Sequence, residues 1–200
     1  MYKNILITHG VNGGIGETWG GWLQVEAEKR GLKIEAPEMP TKEAANYQDW
    51  AEIMDGYIAK DLVNEKTVLV AHSLGNLFWL RYSSEHDLQI GLFIGLAGFF
   101  NDHWAEIRPD LSIVVNNFKD GKIEIEKFKK SAEKRYLIYS DNDHLVPRDE
   151  MEKFGEMIGA EKIFIPGVGH LGRKAGIKKI PEILEIIDRN CPELVANQVE

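Results

Sequence analysis

Short, nearly continuous apolar runs recur along the chain at residues 4–8, 33–36, 67–72, 90–97, 135–140 and 162–166. Each has the length of a strand. Several consist almost wholly of Ile, Leu, Val and Phe, the composition of strands covered on both faces. Helix-patterned segments lie between most of them. Residues 17–30 end at Gly31, a residue type that closes helices in the left-handed conformation. Residues 46–62 place Tyr47, Trp50, Met54, Tyr57, Ile58 and Leu62 near one stripe, behind a capping-box-like Asn46 and Asp49. Residues 74–84 and 148–158 follow the third and fifth runs. Residues 181–189 close the pattern, with Pro181 at the first helical position and Ile183, Leu184, Ile186 and Ile187 facing in. Strands alternating with helices predict an α/β fold: a largely parallel sheet with helices on both faces.

Two hundred residues suit a single domain over 1–200. One segment breaks the alternation. Residues 101–133 are polar, contain Pro109, Asn116-Asn117 and Asp120-Gly121, and show no clear period in their first half. Two readings stand: a cap or pocket wall inserted into the domain, or a surface loop with a helix at 124–130. A net charge of -8 and a pI near 5.3 argue against a nucleic-acid groove or an anionic membrane partner. The longest apolar stretch, 90–100, is too short for a membrane-spanning helix and contains three glycines. Cys191 is the single cysteine, so no intramolecular disulfide forms and a reducing compartment is expected. The chain enters its first apolar run directly after Met1-Tyr2-Lys3, without a signal-peptide pattern, and a cytoplasmic location is the expectation.

The third apolar run leads into Ala71-His72-Ser73-Leu74-Gly75 and then into a helix-forming stretch. A serine at a sharp strand-to-helix bend between small residues is a nucleophile elbow, which pushes the hydroxyl out of the sheet. A serine hydroxyl is a weak nucleophile at neutral pH. It needs a base within hydrogen-bond reach, and the base needs an orienting group. The ends of two later runs offer both. One reads Asp141-Asn142-Asp143-His144, the other Gly169-His170-Leu171-Gly172. The order Ser73, Asp143, His170 is the chain order of α/β-hydrolases. Asp141 competes for the acid role, with Asp102 a remote third. The Ser140-x-x-Asp143 spacing favours Asp143 and leaves Asp141 to cap the turn.

The chain resembles the small serine hydrolases related to retinoblastoma-binding protein 9 and their bacterial relatives, within the α/β-hydrolase superfamily. The matching residues run along nearly the whole chain. They are His9-Gly10-Val11-Asn12-Gly13-Gly14, Trp19-Gly20-Gly21-Trp22, Pro37-Glu38-Met39-Pro40, the elbow, Ser140-x-x-Asp143-x-x-Val146-Pro147, Gly169-His170-Leu171-Gly172 and Ala175-Gly176-Ile177-x-x-Ile180-Pro181-Glu182. The elbow departs from the family pattern at Ala71, where glycine is usual; bacterial lipases with an Ala-x-Ser-x-Gly elbow carry the same departure. The resemblance implies a three-layer, six-stranded sheet of order 2-1-3-4-5-6. That order faces the loop after the first strand towards the elbow at the switch point. It also implies an oxyanion hole from the backbone N–H groups of Leu74 and Val11, with Asn12 or Gly10 as alternatives to Val11. Ser73 would attack a carbonyl, His170 would serve as base and then acid, and Asp143 would hold the imidazole. The expected function is a serine hydrolase acting on a carboxylic ester or similar acyl bond of a small molecule. No metal or organic cofactor is expected. The rivals are amide or thioester cleavage by the same residues, and a non-catalytic protein-interaction module on the same fold, its partner unknown.

Other residues have plainer readings. His72, beside the nucleophile, and His9, ending the first strand, are expected to be structural. His103 and His144 accompany aspartates without metal-ligand spacing and read as turn residues, and His86 as solvent-facing. The glycines at 10, 13, 14 and 16 match neither a dinucleotide fingerprint nor a P-loop. Trp79 is expected in the core. Asn12, Phe99, Phe100 and Trp104 are expected along the substrate pocket, and Trp19 and Trp22 are further candidates for its lining. Nothing in the sequence pairs Cys191 with a base.

Overall fold

The computed structural model describes residues 1–14, 18–100 and 108–196. The six apolar runs become β1 (Asn4–Thr8), β2 (Lys33–Glu35), β3 (Thr67–His72), β4 (Leu92–Leu96), β5 (Arg135–Tyr139) and β6 (Glu161–Phe164). They form one sheet in the order β2-β1-β3-β4-β5-β6, the expected order, and every pairing is parallel. The central strands β1 and β4 are buried along their whole length, and β3 is buried as far as Ala71. That explains their unbroken Ile, Leu, Val and Phe. The edge strands differ. β2 and β6 carry Lys33, Glu35, Glu161 and Lys162, and charge on an edge discourages pairing with another chain.

The helices are α1 (Trp19–Glu28), α2 (Tyr47–Ile58), α3 (Leu74–Glu85), α4 (Pro109–Lys119), α5 (Ile125–Ser131), α6 (Arg148–Met157), α7 (Pro181–Asn190) and the short α8 (Glu193–Ala196). Asn46 caps α2, its side-chain oxygen accepting the Asp49 N–H at 2.9 Å. Right-handed crossovers send the β1-to-β2 connection to one face of the sheet and the later connections, which run the other way along it, to the opposite face. α7 returns to the side of α1, where the Arg30 guanidinium donates to both oxygens of Asp188 at 2.8 Å. On the other side α3 is buried nearly all round, and Tyr82 donates to Asp55 of α2 at 2.6 Å.

The segment that breaks the alternation holds two helices where the sequence suggested one. Its C-terminal helix, α5, falls where expected. α4 lies in the half that seemed aperiodic. Pro109 opens it, and Leu111, Val114, Val115 and Phe118 are buried, an i, i+3, i+4, i+7 stripe masked by the intervening polar residues. Both helices flank α3. Asn117 accepts from Arg81 and from the Tyr47 backbone, and the Glu124 N–H donates to Ser84. The expectations placed on Asp102, His103, Trp104 and Gly16 lie outside the described residues.

Candidate active site

β1 and β3 are neighbours whose onward connections leave in opposite directions, so a crevice opens at their C-terminal ends. The elbow forms one wall. Ser73 adopts φ 53° and ψ −117°, a conformation costly for a residue with a Cβ. Its own N–H donates to Leu96 at 2.9 Å. The Asn76 side-chain amide, on the first turn of α3, donates to the carbonyls of Ala71, Ser73 and Leu96 at 3.1–3.2 Å. One buried amide thus ties strand, bend and neighbouring strand together. Gly75 is required by space: a Cβ there would stand 2.8 Å from Thr8 Oγ1 and 2.9 Å from the Thr8 carbonyl. Ala71 is fully buried in β3. The loop after β1 comes equally close, since a Cβ on Gly10 would stand 3.0 Å from the Ser73 Cβ and 3.4 Å from its Oγ.

The other wall comes from the loops after β5 and β6, which are stitched together. Ser140 Oγ, Asp141 Oδ1 and Asn142 Oδ1 accept the N–H groups of Val168, Gly167 and Gly169 at 3.1, 2.9 and 2.6 Å. The Trp19 indole N–H, from α1, donates to the Leu171 carbonyl at 2.8 Å. These bonds bring His170 between Ser73 and Asp143. Its Nε2 lies 2.9 Å from Ser73 Oγ and its Nδ1 lies 2.6 Å from Asp143 Oδ2. The other oxygen of Asp143 accepts the Leu145 and Val146 N–H groups at 2.8 and 3.1 Å. Burial pushes the Asp143 carboxyl pKa up, but the His170 hydrogen bond, its charge and the two backbone donors outweigh that and hold the pKa below the usual value. Asp141 is spent on the Gly167 backbone, so it is Asp143 that faces the imidazole.

The walls enclose a cavity of about 330 Å³ that reaches Ser73 and His170. Val11 and Asn12 line it, and Leu74 is the first residue of α3, behind Ser73. Phe99 and Phe100 do not line it. After β4 the chain turns at Ala97, with φ 47°, and Phe99 ends in the core, where burying a ring is worth more than a place on a wetted wall. Phe100 packs partly against the core with the Lys119 ammonium 5.1 Å from its ring. Trp19 does line the cavity, and in place of the phenylalanines the described wall holds residues the sequence reading did not single out for it, among them Thr18, Lys42, Arg108, Leu145 and Lys174.

The histidines divide. The His9 Nδ1–H donates to the Gly10 carbonyl at 2.7 Å, and burial lowers its pKa. His72 donates from Nε2 to the His170 carbonyl at 2.8 Å. Burial, then the neighbouring His170, pulls its pKa down to about 3, so the ring is neutral. His86 is half-buried and stacks on Tyr82 rather than facing solvent outright. His144 is exposed but turns onto the cavity wall, its ring 6.2 Å from that of His170. Trp79 is fully buried and donates to Thr8.

The family model described as Serine hydrolase matches residues 5–189. The chain belongs to the serine hydrolase family. This serine hydrolase is 27% identical over 189 residues to YdeN of Bacillus subtilis (strain 168), covering 94% of this chain and 95% of that one. The crystal structure of the B. subtilis ydeN gene product superimposes with a TM-score of 0.82 at 26% identity, covering 94% and 98% of the two chains. More distant likenesses carry the fold alone. A carboxylesterase structure from Nitrososphaera gargenis gives a TM-score of 0.69 at 14% identity, over 98% of this chain and 92% of that one. Est1E of Butyrivibrio proteoclasticus with bound ferulic acid gives 0.68 at 17%, over 97% and 90%. The serine hydrolase therefore has an α/β-hydrolase fold. No helix among its described residues is long and apolar enough to cross a membrane.

Proposed function

We propose that this serine hydrolase cleaves a carboxylic ester or similar acyl bond of a small molecule through an acyl-enzyme on Ser73. The observation that carries the reading is the unbroken relay Ser73 Oγ, His170 Nε2, His170 Nδ1, Asp143 Oδ2, with links of 2.9 and 2.6 Å, opening into a cavity. Ser73 Oγ attacks the carbonyl carbon while its proton passes to His170 Nε2. The oxygen that gains charge is met by the N–H of Leu74, and by that of Val11 on the loop that passes beside Ser73. Each such donor is worth about 3–4 kcal/mol in the transition state. The positive end of α3 adds to the same field. As the C–O bond breaks, His170 returns the proton to the departing alkoxide and an alcohol leaves. Water then attacks the acyl carbon, giving a proton to His170. The C–Oγ bond breaks, the proton returns to Ser73 Oγ and a carboxylic acid is released. Asp143, held ionised, fixes the Nδ1–H tautomer and stabilises the imidazolium in both steps.

A volume of about 330 Å³ is at the small end for ligand pockets and supports a compact substrate. Arg108 on the wall supports reading part of 101–133 as a side of the pocket. Motif by motif, we propose an analogy with the retinoblastoma-binding protein 9 group within the family, and the composition keeps the cytoplasm as the proposed location. Labelling with a fluorophosphonate probe tests the reading: a covalent adduct is expected on Ser73, and native protein that does not label overturns it. Ser73→Ala and His170→Ala are each expected to lower kcat/KM on a short-chain nitrophenyl ester by at least about three orders of magnitude. Their melting temperatures should stay close to that of the native protein. Substantial activity in either variant overturns the assignment of these residues.

A further inference from the structure

The protein is acidic, with 32 Asp and Glu against 24 Lys and Arg, yet the cavity wall reverses that balance. Every charged side chain among its described lining residues is a cation: Lys42, Arg108 and Lys174. They come from separate connections, after β2, after β4 and after β6, and meet only because all three loops gather at the same end of a parallel sheet. Arg108 is already paired with Asp110. Lys42 and Lys174 form no ion pair with another described residue. Lys42 is also held in place by its backbone. It sits at φ 55°, where a lysine is rarely found, and its N–H donates to the Val11 carbonyl at 2.7 Å, locking it to the loop beside Ser73. The field of these groups registers on a neighbour. Protonation of His144 is disfavoured first by desolvation and by His170; Asp143 opposes this, and Lys174 and Arg108 add smaller contributions against it.

Resting on the hydrolase reading, we propose that the acyl substrate carries an anionic group, a carboxylate or a phosphate, a few bonds from the scissile carbonyl, and that Lys42 and Lys174 receive it. Two lysines that line the cleft without an ion pair to another described residue attract an anion and raise its encounter rate. A neutral acyl chain gains nothing from them. Carboxylate products bearing a second charge would feel the same attraction, and inhibition by such dianions follows.

The test compares the 4-nitrophenyl monoester of adipate with the same ester methylated on its free carboxylate, so that the pair differs by one charge. The anionic ester is expected to show the higher kcat/KM, by about tenfold at low salt, with the advantage shrinking as ionic strength rises. In the Lys42→Met, Lys174→Met double variant the ratio should fall towards one. Equal kcat/KM for the two esters, or a preference that survives the double substitution, overturns the proposal. Adipate and inorganic phosphate as competitive inhibitors distinguish the two anions, and stronger inhibition by either upholds the site. If Ser73 does not label and neither ester turns over, the hydrolase reading fails separately. The anion site is then read by calorimetric titration of adipate and phosphate. Binding that is lost in the double variant upholds it, and no binding to the native protein overturns it.

Discussion

At the scale of single residues, His72 shows how a side chain next to Ser73 can fix the loop that carries His170. Its Nε2–H holds the backbone carbonyl of His170, and its burial keeps the ring neutral, with a pKa of about 3. In the unfolded chain a histidine titrates near about 6.5. Between those values the unfolded state binds the extra proton, so stability is full above about pH 6.5 and declines as pH falls towards 3. The limiting slope from this one group is about 1.4 kcal/mol per pH unit. His72→Gln should therefore give a flatter stability profile between about pH 6.5 and 5 than the native protein, read from urea midpoints. Identical slopes would remove His72 as the cause. Asp143 works in the same direction lower down. Its depressed pKa contributes stability that is present above about pH 3.9 and lost as pH falls through the folded value. The two aspartates of the β5 loop were separable in the sequence by spacing alone. What the spacing does not contain is the job of Asp141, because its partner, the Gly167 N–H, is 26 residues away in the chain.

At the scale of elements, the elbow is a contact between β1, β3, β4 and α3 as much as a pentapeptide. Gly75 lets α3 pass against the end of β1, and the atoms nearest a Cβ there include the backbone carbonyls of Thr8 and His9, which cannot swing aside like a side chain. Gly75→Ala should destabilise the fold by roughly 1–3 kcal/mol. It should also slow fluorophosphonate labelling of Ser73, because the loop after β1 must shift. Native stability together with native labelling would show that the helix yields without disturbing the site. The strands and most helices were legible from apolar runs and caps, with boundaries off by a residue or a few. α4 was not, since its stripe of Leu111, Val114, Val115 and Phe118 is diluted by Asp110, Asn116 and Asn117. Asn117 looked like a loop residue and is instead an acceptor for two other helices.

At the scale of the whole molecule, the turn that ends α1 is joined to α7 across 158 residues by Arg30 and Asp188. The pair is two-pronged and its side chains are only 12% and 24% exposed, so it escapes much of the solvent screening that weakens surface pairs. Arg30→Ala should cost about 1–3 kcal/mol. In a chain of 200 residues that lowers the melting temperature by a few degrees, roughly 2–4 °C per kcal/mol. Arg30→Lys should recover only part, because an ammonium cannot make the paired bonds. A melting temperature unchanged in Arg30→Ala would mean the closure of α7 onto α1 rests on apolar packing alone.

Local patterning was enough to determine the alternating strands and helices, the serine at its bend, and the histidine and acid that follow later strands. Those properties depend on neighbours within a few residues, or on chain order, and both are written directly in the sequence. The resemblance to a known family supplied the strand order. The tertiary structure alone decided which side chains share the cavity. Phe99 turns away into the core, while Lys42, Arg108, His144 and Lys174 arrive at its wall. A parallel sheet gathers at one end loops that are far apart in sequence, and no local period records which of their side chains meet there.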